Sequence, residues 1–306
     1  CMCARVVADM GRLRAGESGK VCVREYHTET INRAMGLDVR TWLQEGLVDY
    51  VTPMVYGHNL VDCNLDFEWL AEAAHAADIS VYPIVQPDYY LEEGRRHHIR
   101  EHASPAMMRA AAANYWARGA DGLYTWFLRW PLGDTERRIL SELGDPDLAR
   151  EGDKHYFFNR RTPAAASAGY ETPLPLEIPV ADTGVRHAFP FYISDDIEAA
   201  ADRIRQVRLK IQIYDLVTAD RLEILLNGQS LESETCLRQY GEHFTPYNGM
   251  WLDFELRHIR PRRGDNLLEI TLEQRVEGLM SSLIIEDMEI IVEYSSYPSL
   301  LNPSPS

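Results

Sequence analysis

The chain has 306 residues, 45% of them hydrophobic, enough for one large domain or two ordinary ones with full cores. Its 31 basic and 47 acidic residues give a formal net charge of -16, which disfavours a nucleic-acid backbone or an anionic membrane as partner and suits a neutral polar ligand. No apolar run approaches the roughly 20 residues of a membrane-spanning helix, and no signal peptide is visible.

The chain opens CMCARVVADM, with Cys rather than Met, and Val6, Val7, Met10 and Leu13 stand at helical spacing; this reads as a fragment that starts inside a helix. The five cysteines are odd in number and scattered, so neither a disulfide framework nor a metal site is expected. Val21 to Tyr26 is a short strand ending in Arg24-Glu25-Tyr26-His27. Asp38 then caps a short helix, VRTWLQEG, and Leu47 to Tyr56 is the next strand, followed by Gly57-His58-Asn59. Leu65 to Ala77 places Leu65, Trp69, Leu70 and Ala73 on one helical face. Ile79 to Val85 is another buried strand, followed by Gln86-Pro87-Asp88-Tyr89-Tyr90. A charged loop, LEEGRRHHIREHAS, leads to a helix starting at Pro105. GADGLYTWFLRW forms a fourth strand ending in Trp126, Arg129 and Trp130, and Asp134 caps the helix after it.

Four β-then-α units imply right-handed crossovers and a parallel sheet. Four strands are half of a (β/α)8 barrel, whose ligand site lies just past the carboxyl ends of the strands. An open doubly wound sheet is the alternative, but no Gly-rich phosphate loop follows any strand, so no nucleotide cofactor is expected. Beyond RRTPAAASAGYETP the periodicity becomes two. RQVRLKIQIYD alternates, LEILLNGQSL carries the hairpin pair Asn227-Gly228, and WLDFELRHI, LLEITL and LIIEDMEIIVEY continue the series. The expected organisation is a partial barrel over 1–160, a linker over 161–173, an antiparallel jelly-roll β-sandwich over 174–295 and a disordered tail over 296–306.

The run GLDVRTWLQEGLVDYVTP, then GADGLYTWF, LSELGDP and DKHYF, resembles the family-10-like glycosyl hydrolase-like barrel proteins over roughly residues 20 to 160. The later strands look like the galactose-binding-type sandwich that accompanies such barrels. The resemblance implies a (β/α)8 barrel of which the visible strands are the fifth to the eighth, the N-terminal half lying upstream. It also implies action on a carbohydrate. In such barrels the nucleophile often stands at the end of the seventh strand, and the corresponding place here is Gln86, an amide that cannot serve as a carboxylate nucleophile.

Hydrolysis of a glycosidic bond normally requires two carboxyl groups flanking it. Glu25 and Asp88, both just past predicted strands, are the catalytic candidates. Glu25 suits a general acid if apolar neighbours raise its pKa, and an ion pair with an arginine is the plainer alternative. For Asp88, after Pro87, the plainer alternative is an Asx turn. His27, Tyr56, His58, Gln86, Tyr89, Trp126 and Arg129 form the expected substrate-binding set, through hydrogen bonds to sugar hydroxyls and stacking on pyranose rings. The histidines stand alone, which argues against zinc. Asp49 and Asp121 lie at strand starts and are assigned to stability. Three functions remain open: a glycoside hydrolase-like enzyme, a non-catalytic carbohydrate-binding protein, and a barrel enzyme of other chemistry such as a lyase.

Overall fold

The structure is a computed structural model and describes residues 20–55, 60–92, 98–125, 128, 131–150, 152–158, 169–240 and 249–295. The expected N-terminal helix, most of the 161–173 linker and the 296–306 tail lie outside the described residues.

The first strand, β1 (Cys22–Tyr26), is followed by two short helices, α1 (Glu29–Ala34) and α2 (Val39–Gln44). Each has a side-chain cap. Thr28 Oγ1 accepts the Ile31 N–H, and Asp38 takes both the N–H and the hydroxyl of Thr41. Strand β2 (Tyr50–Met54) pairs with β1 in parallel, and helix α3 (Glu68–His75) packs Leu70, Ala71 and Ala74 inward. The run from 80 to 85 is split. Its first half, β3 (Ser80–Val81), pairs with β2 in parallel, and its second half, β4 (Ile84–Val85), pairs in parallel with a later strand. A hairpin follows, β5 (Asp88–Glu92) against β6 (His98–His102).

Helix α4 (Pro105–Ala117) opens with Ser104 Oγ accepting the Met107 N–H and with Pro105 in the first turn, where its missing N–H costs nothing. Every residue from Met107 to Tyr115 is buried, because the helix is covered all round. Strand β7 (Tyr124–Thr125) is the partner of β4. Helices α5 (Asp134–Leu143) and α6 (Pro146–Arg150) complete this half.

The next strand, β8 (Lys154–Phe158), leaves the parallel layer and joins an antiparallel sheet. That half consists of β9 (Leu176–Ile178), β10 (Arg186–Ile193), β11 (Ile204–Tyr214), β12 (Arg221–Leu226), β13 (Gln229–Ser230), β14 (Thr235–Tyr240), β15 (Met250–Glu255), β16 (Gly264–Gln274) and β17 (Leu283–Tyr294). One sheet runs β10-β16-β12-β13. The other has six strands, β14-β15-β11-β17-β8 with β9 also on β17. Val207, Leu209, Ile211 and Ile213 of β11 are buried, as are Leu268, Ile270 and Leu272 of β16. Asn227 (φ 51°) and Gly228 (φ 78°) both take positive φ, as a two-residue turn between twisted strands requires, and join β12 to β13.

The expected architecture of half a (β/α)8 barrel followed by a jelly roll is therefore corrected. Among the described residues the parallel strands form a three-stranded sheet, β1-β2-β3, and a two-stranded one, β4-β7, with no barrel closure. Three of the five parallel segments are only two residues long, too short for the continuous tilted ladder that closes a barrel. The chain is mixed α/β. Its six-stranded sheet recruits β8 from ahead of the 161–173 segment, a strand that a jelly roll beginning at 174 does not contain. The charged loop expected after Tyr90 contains the β5-β6 hairpin instead.

Candidate functional site

Because β1, β2 and the 80–85 run are parallel, their carboxyl ends point the same way, and Glu25, His27 and Gln86 stand at or just past those ends. Tyr26 lies opposite Met54 across β1 and β2. The turn that follows β1 is held by Asn32. Its Oδ1 accepts the Tyr26 N–H at 2.9 Å and its Nδ2 donates to the Tyr26 carbonyl at 2.7 Å, as a neighbouring strand would. This fixes Glu25 just before the turn and His27 within it.

Glu25 is 0% exposed, and among the described residues neither carboxyl oxygen has a side-chain hydrogen-bond partner. Burial pushes its pKa well above the ordinary carboxylate range, and the nearby Thr52 backbone offsets only part of that rise. Among the described residues no arginine forms an ion pair with it.

His27 is also buried. Burial lowers its pKa, opposed by the charges of Asp62 and Asp66 and by the Met54 backbone. Among the described residues the His27 Nδ1 atom has no hydrogen-bond partner. The ring stands edge-on to Tyr170 with centroids 5.2 Å apart, and the His27 carbonyl accepts from Trp69 Nε1 at 2.5 Å.

Gln86, immediately after β4, is buried with Oε1 unpartnered. Asp88 is buried too, but its Oδ1 lies 2.6 Å from His102 Nδ1, directly across the β5-β6 hairpin. The Asx-turn alternative gives way to this pair. A carboxylate can only accept, so it selects the Nδ1–H tautomer and leaves the His102 Nε2 lone pair buried without a partner. Tyr89 is half-buried and packs edge-to-face on Phe157 at 5.5 Å. It braces the neighbouring sheet more than it offers an open stacking face. Tyr56, His58, Trp126 and Arg129 lie outside the described residues.

Sequence reasoning passed over five participants. Asp62, in the loop after β2, accepts the Asn64 N–H at 2.9 Å on one oxygen and the Tyr170 hydroxyl on the other. Tyr115 of α4 donates to the Asp62 carbonyl at 2.6 Å, and Asn114 ties Cys63 and Tyr192 together through its amide nitrogen. His102 is the fifth, and the charged composition around GRR hid the hairpin that places it. For Tyr170 there was no signal, since it sits in a stretch whose composition reads as linker.

Among the described residues no group of three or more His, Cys, Asp or Glu is placed to hold a metal ion, and no helix is long and apolar enough to cross a membrane. No protein-family model matches the chain, and none of the curated proteins matches it. With no barrel closure and no matching family, the resemblance to family-10-like glycosyl hydrolase-like barrels with a galactose-binding-type sandwich is set aside.

Proposed function

We propose that the chain acts on a neutral carbohydrate by acid-assisted hydrolysis of an O-glycosyl bond, with Glu25 as the proton donor. The observation that carries this reading is a carboxyl group removed from water, with no side-chain partner among the described residues and a pKa raised well above the ordinary carboxylate range by burial. A neutral acid has a proton to give to a leaving oxygen at pH 7, and an ionised glutamate has none. In the step, the Glu25 proton passes to the glycosidic oxygen as its bond to the anomeric carbon breaks. Water adds to that carbon and yields its proton to a base. His102 Nε2, oriented by Asp88, suits the second task, and solvent exchange restores both groups.

The substrate class is supported by the acidic net charge, which disfavours polyanions, and by the amide and imidazole at the strand ends, Gln86 and His27. Glu25 has no exposed surface, so substrate reaches it only when the segments around it open. The test is release of new reducing ends from a panel of neutral polysaccharides. Release is expected from the native chain and lost in Glu25→Gln, whose melting temperature is not lowered; release that survives the substitution overturns the assignment.

A second reading, non-catalytic carbohydrate binding, is favoured by one observation. Of the two carboxyls expected, Asp88 is committed to His102, and the strand end beside it carries the amide Gln86. Saturable glycan binding without any reducing-end release would select it.

A further inference from the structure

The turn between β15 and β16 carries the basic run RHIRPRR, Arg257 to Arg263, in a chain of net charge -16. Together with Asp196 and Glu198 it lines a cleft of about 440 Å³. The backbone of the turn is held at both ends. Glu234 accepts the N–H groups of Arg257, His258 and Ile259, while the buried Asn266 accepts the Arg262 N–H at 2.8 Å and donates to the Arg262 and Gly264 carbonyls. Between these two holds Pro261 is buried, with its φ fixed by the ring. The side chains of Arg260, Arg262 and Arg263 are exposed on this rigid frame. Arg260 Nε donates to the Leu256 carbonyl at 3.2 Å and Arg262 Nε to the Asp265 carbonyl at 3.1 Å; the terminal nitrogens of both have no partner among the described residues.

Charge pairing sets this turn apart. Exposed arginines elsewhere, such as Arg33, Arg138, Arg205 and Arg221, each meet a carboxylate, and Arg257 meets Glu255 at 2.8 Å. Among the described residues Arg260, Arg262 and Arg263 form no ion pair, and neither do Asp196 and Glu198. We propose that this cleft binds the phosphate group of a phosphate monoester. Three guanidinium groups outnumber the two carboxylates, which do not reach them, so the lining stays net positive even with Arg257 set aside. A phosphate monoester brings close to two negative charges and three acceptor oxygens, and the planar forks of neighbouring arginines match it with paired N–H donors. A carboxylate brings one charge and two oxygens and is held less. The charge of -16 opposes a long polyanion, but exposed charges more than about 8–10 Å away are screened, so a single phosphate meets mainly the turn. The cleft includes no residue from the strand ends of the parallel half, so its ligand does not depend on the chemistry of Glu25.

The experiment is titration calorimetry of the whole chain with inorganic phosphate, glycerol 3-phosphate and acetate, at mildly alkaline pH and constant ionic strength. Both phosphates are expected to bind about tenfold more tightly than acetate. The double substitution Arg260→Gln with Arg262→Gln is expected to weaken phosphate binding about tenfold, and Arg263→Gln alone about threefold. The Arg263 side chain makes no hydrogen bond or ion pair among the described residues, so its replacement leaves the fold untouched. Arg137→Gln removes an exposed charge from α5, outside the cleft, and should leave the affinity unchanged. Co-sedimentation with phosphatidylcholine vesicles, with and without phosphatidic acid, separates the two sources of a monoester. Sedimentation that needs phosphatidic acid and is lost in the double variant would assign the site to a lipid headgroup; glycerol 3-phosphate binding without sedimentation would assign it to a soluble molecule. No binding of phosphate, acetate binding as tight as phosphate, an affinity that survives both arginine variants, or an equal loss in Arg137→Gln would each overturn the proposal.

Discussion

The buried carboxylates of the antiparallel half and Glu25 at a strand end of the parallel half differ in how they are met, although single atoms of His187, Gln212 and Arg275 in the antiparallel half also lack a partner among the described residues. In the antiparallel half, the buried carboxylates Asp195, Asp220 and Glu234 are met. Asp195 receives Lys154 Nζ at 2.9 Å and the hydroxyls of Tyr156 and Tyr294 at 2.5 Å each. Arg275 meets Asp220 at 2.5 Å, and Glu234 accepts three consecutive backbone N–H groups, from Arg257, His258 and Ile259. At the strand ends of the parallel half, Glu25, His27 and Gln86 are buried with polar atoms that no described side chain meets. Burying such a group without a partner is unfavourable, so the first set is explained by stability and the second is not. That contrast is why the strand ends, and not the buried ion pairs, are read as the functional part.

The largest test of the contrast is Asp195→Ala, which leaves Lys154 buried without its anion and two tyrosine hydroxyls without an acceptor. A loss of about 3–5 kcal/mol in urea unfolding is expected; a loss under about 1 kcal/mol would mean that the network is not structural. Glu25→Gln should behave in the reverse sense. The folded-state pKa of Glu25 is raised, so its stability contribution is full below the unfolded carboxylate value of about 4.3 and is lost as pH rises towards the folded value. Relative to native, the Gln variant should therefore gain up to about 1.4 kcal/mol per pH unit above that point. Unfolding curves at a series of pH values measure it, and a difference that does not change with pH would show that Glu25 is ionised in the fold.

Between these lies Tyr170→Phe. It removes the hydroxyl donor to the buried Asp62 carboxylate and leaves the Asn64 N–H, and a cost of about 1–3 kcal/mol is expected from thermal melts. Should melting be unchanged, Asp62 would not depend on Tyr170, and this contact across the two halves would be incidental.

What the sequence made legible was local. The alternation of Val207, Leu209, Ile211 and Ile213, the Asn227-Gly228 turn and the Asp38 cap each depend on residues within a few positions of one another. Asp49 and Asp121, read as stabilising strand starts, accept the N–H groups of Val21 at 2.6 Å and Val81 at 2.8 Å. What stayed hidden was long-range. Barrel closure depends on strand tilt and stagger, to which apolar runs are blind. The destination of β8 is set by pairing with β17, at the far end of the chain. In the site, the position of Glu25 at a strand end was legible, but not its lack of a side-chain partner, because an arginine nearby in sequence is as plausible on paper as none. Asp88 was legible as a carboxyl after a strand; that it serves His102 depends on a hairpin obscured by its charged composition.

The smallest effect bears on whether the halves differ in backbone strain as well as in how Glu25 and the buried carboxylates are met. Gly46 (φ 61°), after α2 in the parallel half, and Gly228, in the antiparallel half, both take positive φ, and an added Cβ would meet nothing within 4 Å at either. With packing absent, Gly46→Ala and Gly228→Ala each carry only the left-handed backbone cost, roughly 1–2 kcal/mol. The two losses should therefore be equal within measurement in chemical unfolding. If they are equal, the halves share their backbone economy, and the contrast stays with Glu25 against Asp195, Asp220 and Glu234. A markedly smaller loss at Gly46 would mean that the parallel half relaxes around a strained residue, and its unmet groups would then reflect a loosely held layer and not a site prepared for a ligand.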